Sequence, residues 1–396
     1  MVHMQHGETQ HASASPSALL ETLRSLRDLI ESSARADEES TELGGQVLAA
    51  LEEAGLFNVM APRDVGGLEA DPLKVFEILK LLSYYDGSTG WYSQAATTGV
   101  AVVGAFLGER AIDAIFCSGE RATCAGQAAP TGKAERSSDG YRISGSFSFG
   151  SGLPSASWVI GGYILYEDGR PRLRENGDPI MLIAAAPRSK VELCGNWRVL
   201  GLRGTGSYDF RVPEQIVHED FVFDPATASP RRGGALYRMG FFAIPTLCHA
   251  AFGAGCGQRI LDEWMNYAHG KQRGTIRLGE TDVFRKEFAV AHSAMSSAEA
   301  YVRTTYKDLF AAAERAEIPA RLTIDSRLCA SNMLATGTRI AQAAFTSSAT
   351  TGLRNGSLLQ RCFRDMQAGN AHFLTGEQSF VDAGRELYAL RAAKQD

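Results

Sequence analysis

Residues 139–152 read Asp139-Gly140-Tyr141-Arg142-Ile143-Ser144-Gly145-Ser146-Phe147-Ser148-Phe149-Gly150-Ser151-Gly152. Asp-Gly is a turn pair, and the Tyr141-Arg142-Ile143-Ser144 run behind it alternates with the period of a half-buried strand. Downstream, residues 157–165, 181–186, 191–193 and 207–212 are further strand-like runs, punctuated by Gly169, Gly177 and Pro187. This character begins near Arg121 and ends near Phe223. On both sides the period changes to that of helices. Leu19, Leu20, Leu23, Leu26, Leu29 and Ile30 recur at three- and four-residue spacing and predict one helix. A second helix carries Val47, Leu48 and Leu51 and stops at Gly55, and a third opens at Pro72. Residues 91–106 and 109–116 follow as helices. Beyond Gly240, long Ala-rich helices over residues 250–269, 282–309, 320–348 and 360–374 suit an antiparallel bundle. The chain therefore divides into a leader (1–16), an N-terminal helical domain (17–120), a β domain (121–230) and a C-terminal helical bundle (231–396), an α+β organisation.

The bulk properties narrow the function. A net charge of -5, with no basic run longer than Arg231-Arg232, argues against nucleic acid as the partner. The 7 cysteines are scattered, odd in number and form no C-x-x-C pair, so they read as buried thiols of a reducing cytoplasm rather than a metal site or a disulfide framework. The polar start lacks the basic and apolar regions of a signal peptide. No apolar run reaches the ~20 residues a membrane helix needs. The expectation is a cytoplasmic protein with no membrane, nucleic-acid or metal partner.

Three segments carry a resemblance. The first is Gly145 to Gly152, in which Phe149 is followed two positions later by Ser151. The second is Trp197-Arg198-Val199-Leu200-Gly201-Leu202-Arg203-Gly204-Thr205-Gly206-Ser207, and the third is the Arg364-Asp365 step. Together and in this order they resemble the acyl-CoA dehydrogenase superfamily, which implies a central β-barrel and a C-terminal four-helix bundle. The stretch Gly126-Gln127-Ala128-Ala129-Pro130-Thr131-Gly132-Lys133-Ala134 and the run from Ser151 to Trp158 are similar to one branch, the two-component (group D) flavin monooxygenases. A dehydrogenase of this fold needs a carboxylate base. The resemblance puts it nine residues after the Arg of the Arg-Asp step, where Phe373 stands, or just ahead of the helix near Ala250, where residues 239–249 hold no Asp or Glu. Both positions are empty, and next to Phe373 stands His372.

The resemblance implies an oxygenase component that uses reduced FMN or FAD from a separate NAD(P)H:flavin reductase. With O2, through a C4a-hydroperoxyflavin, it would hydroxylate a small aromatic or polycyclic substrate, as a homotetramer. His372 is the implied catalytic base or hydrogen-bond donor, and Ser151 the hydroxyl that donates near flavin N5. Trp91, Gln127, Phe149, Trp197, Thr205 and Arg273 are the implied flavin contacts, and His249 and Phe373 line the substrate pocket. Gly253-Ala254-Gly255-Cys256-Gly257 lies within a helix rather than after a strand, so it reads as close helix packing and not as a dinucleotide site. The alternatives are a dehydrogenase-like oxidoreductase with a relocated base, an N- or S-oxygenating relative, and a non-catalytic protein that keeps only the fold.

Overall fold

The computed structural model describes residues 15–119 and 121–393, and the side chain of Arg273 lies outside that description. Most of the expected leader, residues 1–14, is likewise outside the described residues. Ser15 and Pro16, counted into the leader, instead open the first helix. Ser15 Oγ accepts the Ala18 N–H at 3.2 Å, and Pro16 occupies the first turn, where its missing N–H has no helical partner to lose.

Six helices come first: α1 (Pro16–Ser25), α2 (Arg27–Ser40), α3 (Gly45–Glu53), α4 (Pro72–Tyr85), α5 (Gly87–Phe106) and α6 (Glu109–Phe116). The single helix expected through Leu19 and Ile30 is two. Leu26 adopts φ -84°, ψ 0°, a turn that still leaves Leu19, Leu23 and Ile30 buried. Helix α5 is buried around most of its circumference, which its Gly, Ala, Ser and Thr content permits.

Eight strands follow: β1 (Cys124–Ser137), β2 (Gly140–Gly150), β3 (Trp158–Glu167), β4 (Arg170–Pro171), β5 (Met181–Pro187), β6 (Glu192–Gly195), β7 (Tyr208–Val217) and β8 (Val222–Phe223). They form one sheet in the order β6-β7-β2-β1-β3-β5-β8, with β4 paired to β3. Strands β1 and β3 run parallel and the other pairs antiparallel. The expected barrel is thus a mixed sheet whose hydrogen-bonded path runs from β6 to β8 without closing among the described residues. It wraps its own core: Phe147 of β2 meets Tyr163 of β3 and Phe210 of β7 with ring centroids 5.5 and 4.9 Å apart. Strand β1 has the composition of a loop, with Gly126, Pro130 and Gly132, and its pairing slips between Gln127 and Gly132.

The C-terminal part holds α7 (Ala235–Arg238), α8 (Ala243–Gly270), the short hairpin β9 (Gln272–Arg273) and β10 (Ile276–Arg277), then α9 (Asp282–Glu314), α10 (Ala320–Ser347), α11 (Leu358–Asn370) and α12 (Glu377–Ala392). Helix α8 is central and packs on α4, α5, α9, α10 and α11. Its glycines make that possible. A Cβ on Gly255 would lie 2.2 Å from the Lys80 carbonyl of α4, Gly253 faces Leu334 and Met333 of α10, and Gly257 faces Met295 of α9. Among the described residues no helix is long and apolar enough to cross a membrane.

Gly255→Ala should therefore cost about 1–3 kcal/mol of stability, the usual range for overpacking, because the atom in the way is backbone. Gly270→Ala, at the open end of the same helix with nothing within 4 Å, should be neutral or mildly stabilising. Denaturant titration of both variants checks this, and equal losses would contradict it.

Candidate active site

One cavity of about 620 Å³ opens where α5, strands β1 to β3, the entry to α8 and the end of α11 converge. Helix α5 presents Trp91, Gln94, Ala95, Thr98, Gly99 and Val102, the three- and four-residue spacing of a single helical face. The entry to α8 adds Phe242, Pro245 and His249. No Asp, Glu, Lys or Arg is among the described residues that line the cavity.

Trp91 organises the centre. Its Nε1–H donates to Ser151 Oγ at 3.1 Å, and its ring meets His249, Phe252 and His372 edge to face at centroid distances of 5.0, 5.1 and 5.7 Å. The two imidazoles lie 4.2 Å apart, tilted by 39°, and His372 also lies 4.8 Å from the Phe373 ring. His372 is not on a helix. Helix α11 stops at Asn370, short of the expected 374, and the following turn lets the Leu374 N–H reach His372 Nδ1 at 3.3 Å. His249, by contrast, sits in the second turn of α8, which begins seven residues earlier than expected and binds its Nδ1 to the Pro245 carbonyl at 2.6 Å. Burial holds His249 down at about 4, and burial together with its neighbour His249 holds His372 well below the usual imidazole range. Both rings are neutral at pH 7.

From Ser151 a chain of hydroxyls runs inward. Ser151 Oγ lies 2.7 Å from Ser207 Oγ, which lies 2.6 Å from Thr205 Oγ1, and Thr205 donates to the Leu202 carbonyl at 2.8 Å. A hydroxyl has one proton to give. With Thr205 committed to a carbonyl, Ser207 must donate to Thr205 and Ser151 to Ser207. Ser151 thus offers the cavity a lone pair, whereas the sequence reading expected a donor. Thr205, expected to contact flavin, is buried behind the wall as the inner member of this chain.

The turn that ends the chain is clamped from α11. Asp365 Oδ1 accepts the Leu202 N–H at 2.6 Å, and Arg364 donates to the Leu200 carbonyl at 2.8 Å while pairing with Glu38 at 2.5 Å. Gly201 is glycine because a Cβ there would lie 2.1 Å from the Arg364 carbonyl oxygen. Leu202 itself is held at φ 56°, a conformation that side chains other than glycine rarely take.

Trp91, Gln127, Phe149, Ser151, Trp197, His249, His372 and Phe373 all line this one cavity. Gln127 Oε1 is engaged by the Ala129 N–H, which leaves its amide nitrogen as the free donor. Phe149 and Trp197 meet edge to face at 6.1 Å, and Trp197 Nε1–H is tied to the Leu202 carbonyl at 3.2 Å. Arg273 lies in the β9 hairpin, and its side chain is outside the described residues. Sequence reasoning missed Ser207, Gln94, Thr98 and Gln367 in the wall. The α5 face was available in the 91-94-95-98 spacing, but a helix buried on all sides gives no amphipathic contrast to mark it.

Residues 247–377 match the family model described as acyl-CoA dehydrogenase, C-terminal domain. Indole-3-acetate monooxygenase of Pseudomonas putida is 28% identical over 387 residues, 95% of this chain and 96% of the relative. The oxygenase component of FADH(2)-dependent resorcinol hydroxylase from Rhizobium sp. (strain MTP-10005) is 28% identical over 364 residues, 87% of each chain. The chain is thus similar, over most of its length, to proteins named as flavin-dependent monooxygenases or their oxygenase components. The crystal structure of 3-HSA hydroxylase from Rhodococcus sp. RHA1 superposes with a TM-score of 0.87 at 24% identity, covering 96% of this chain and 98% of that one. The fold is acyl-CoA dehydrogenase-like, and in it the Arg364-Asp365 step clamps residues 200–203.

The clamp has a pH signature. Burial first, and the neighbouring Asp86 second, push the Asp365 carboxyl up to about 7. Its folded value lies above the ~3.9 of an unfolded Asp. Folding therefore favours the protonated carboxyl, an advantage complete below ~4 and lost as pH rises through about 7. Asp365→Asn keeps an oxygen for the Leu202 N–H and removes the charge. The variant's stability relative to wild type should therefore rise by about 1 kcal/mol or more between pH 5 and pH 8. Thermal melts at the two pH values check this; a pH-independent difference would contradict it.

Proposed function

We propose that the chain is the oxygenase component of a two-component flavin monooxygenase, hydroxylating a small uncharged aromatic substrate with O2 and with reduced FMN or FAD delivered by a separate NAD(P)H:flavin reductase. The observation that carries this is the charge-free aromatic cavity with two neutral histidines where a dehydrogenase of this fold would need a carboxylate. A substrate thioester would find no base there to take its α-proton.

The residues present fit a flavin. The cavity volume of about 620 Å³ falls within the ~300–1,000 Å³ of small-molecule sites. Phe149 is 61% exposed and held at φ 65°, so a large ring is kept in water in a conformation unusual for its type. A planar partner at the cavity mouth accounts for both features. Phe149 and Trp197 would pack on the ring system, and Gln127 would donate to its polar edge. Ser151, its own proton committed inward, would accept the N–H that distinguishes a reduced flavin ring. When bound, reduced flavin supplies the activation of O2. The described wall, without charged side chains, would disfavour water, and His372, protonated on Nε2, would offer a hydrogen-bond donor beside the bound ring. We further propose a cytoplasmic homotetramer, supported by the exposed apolar residues Val283 and Val290 of α9 and Val381 and Tyr388 of α12.

The test is anaerobic binding of reduced FMN and FAD, followed by O2 and a panel of small aromatics. Hydroxylated product is the expected result. Reduction of bound flavin by butyryl-CoA would overturn the reading in favour of a dehydrogenase, and failure to take up any flavin would leave only the fold. His372→Ala should retain flavin binding and lose about 10²-fold in product formation. Trp197→Ala should weaken reduced-flavin binding by roughly five- to tenfold, the scale of one aromatic stacking contact, as read by equilibrium titration.

A further inference from the structure

Helix α5 is buried around most of its circumference, and its polar side chains are mostly spent on the protein itself. Ser88 Oγ accepts the Gly204 N–H, Thr89 Oγ1 donates to Asp86, Tyr92 meets Ser155, and Thr97 Oγ1 donates to the Ser93 carbonyl. Gln94 differs. It is 3% exposed, and its carboxamide has no hydrogen-bond partner among the described residues. Ser93 Oγ also lacks one but is sealed inside the protein, whereas neither the oxygen nor the nitrogen of the Gln94 side chain is sealed. Gln94 lines the cavity, three residues after Trp91 and four before Thr98 on one helical face, so its carboxamide opens there. An amide buried without a partner is costly, and an apolar side chain of the same length would close this wall without that cost. The partner must therefore come from what fills the cavity.

We infer that Gln94 is a specificity-determining residue that reads an uncharged carboxamide or lactam on the aromatic substrate, its Nε2–H donating to the substrate carbonyl while its Oε1 accepts the substrate N–H. This rests on the cavity being the aromatic substrate site of the proposed function, and it adds the second group that the substrate carries.

The pattern of the side chain selects the class. A carboxamide presents a donor and an acceptor side by side, and another amide edge is the neutral group that meets both at once. A ketone or an ester serves only Nε2. A carboxylate also serves only Nε2, sets its charge against Oε1, and finds no Lys or Arg in the described wall to offset it. An ammonium serves only Oε1 and brings a charge that the described wall, without Asp or Glu, leaves unpaired. Thr98 does not compete for the amide, because its hydroxyl is directed to Cys248 Sγ at 3.5 Å. Trp91 stands one turn away, about 5 Å along the helix axis, so the ring and the amide of one small molecule can be held together.

The test compares phenylacetamide with isobutylbenzene, which has the same shape and no polar atom, and with phenylacetate. Dissociation constants are read by anaerobic equilibrium dialysis at pH 7 on the full chain, loaded with whichever reduced flavin, FMN or FAD, it binds more tightly. Wild type should bind phenylacetamide at least about tenfold more tightly than phenylacetate. Gln94→Met, apolar and of similar length, should weaken phenylacetamide by about tenfold and leave isobutylbenzene unchanged or more tightly bound. Equal changes for the two, or no change for either, overturn the inference. Weaker binding of the flavin in the variant with unaltered probe affinities also overturns it, by assigning the amide to the polar edge of the flavin. Should Gln94→Met not fold, the wild type decides through the infrared amide I band of bound phenylacetamide labelled with ¹³C at its carbonyl. A band at the frequency of an amide dimer supports the pairing, and one at the frequency of a free carbonyl in hydrocarbon overturns it. Flavin-dependent hydroxylation of aromatics with no carboxamide preference sinks the inference alone. The expected probe affinities without any flavin-dependent hydroxylation sink the proposed function alone.

Discussion

The hydrogen bond from the Leu202 N–H to the Asp365 carboxyl, 2.6 Å long and wholly buried, is the contact on which the site depends. It joins the sheet side of the cavity to the helical bundle. On one side, Leu202 is held at φ 56°, so its carbonyl turns inward to receive both Trp197 Nε1–H and Thr205 Oγ1–H. On the other, Asp365 belongs to α11, whose end carries His372. The same bond therefore orients the hydroxyl chain and positions the histidine turn. A neutral or half-neutral carboxyl suits this position, because it accepts the N–H without keeping a full charge beside Asp86 in a region with little water.

Proton counting then propagates from this anchor. Because the Leu202 carbonyl can only accept, Thr205, Ser207 and Ser151 are each forced into one donor direction, and Trp91 supplies the last donor from outside the chain. The histidines obey the same logic from different anchors, the Pro245 carbonyl and the Leu374 N–H. Three backbone groups thus decide the hydrogen-bonding character of Ser151, His249 and His372. No charged side chain among the described residues of the wall contributes, so there the cavity gains polarity with direction but without charge.

Much of this was legible in residue types and spacing. The Asp139-Gly140 turn and the alternation behind it mark β2, and the Arg364-Asp365 step and the run from Trp197 to Ser207 stand out as motifs, although only the structure joins them. What could not be read has local physical causes. Strand β1 has the composition of a loop, and only its pairing with β2 and β3 makes it a strand. The break at Leu26 lies inside unbroken apolar periodicity, where packing and not propensity sets the end, whereas the stop of α11 at Asn370 carried a local signal, Gly369-Asn370, that the reading passed over. The direction of the Ser151 proton was beyond reach, because it depends on the distant Leu202 carbonyl, whose orientation is imposed by Asp365.

The two histidines show the same division. His372 drew attention because it stands beside the vacant dehydrogenase position, and His249 was one residue among several at the entry to α8. Geometry reverses their order of interest. His372 has a backbone donor on one nitrogen and a proton on the other, so it enters the cavity as a donor. His249 alone brings an unshared lone pair, buried with nothing to bind it. A fold that in its dehydrogenase form needs a carboxylate to remove a proton from carbon has here two neutral imidazoles side by side. Two neutral imidazoles cannot easily strip a carbon acid.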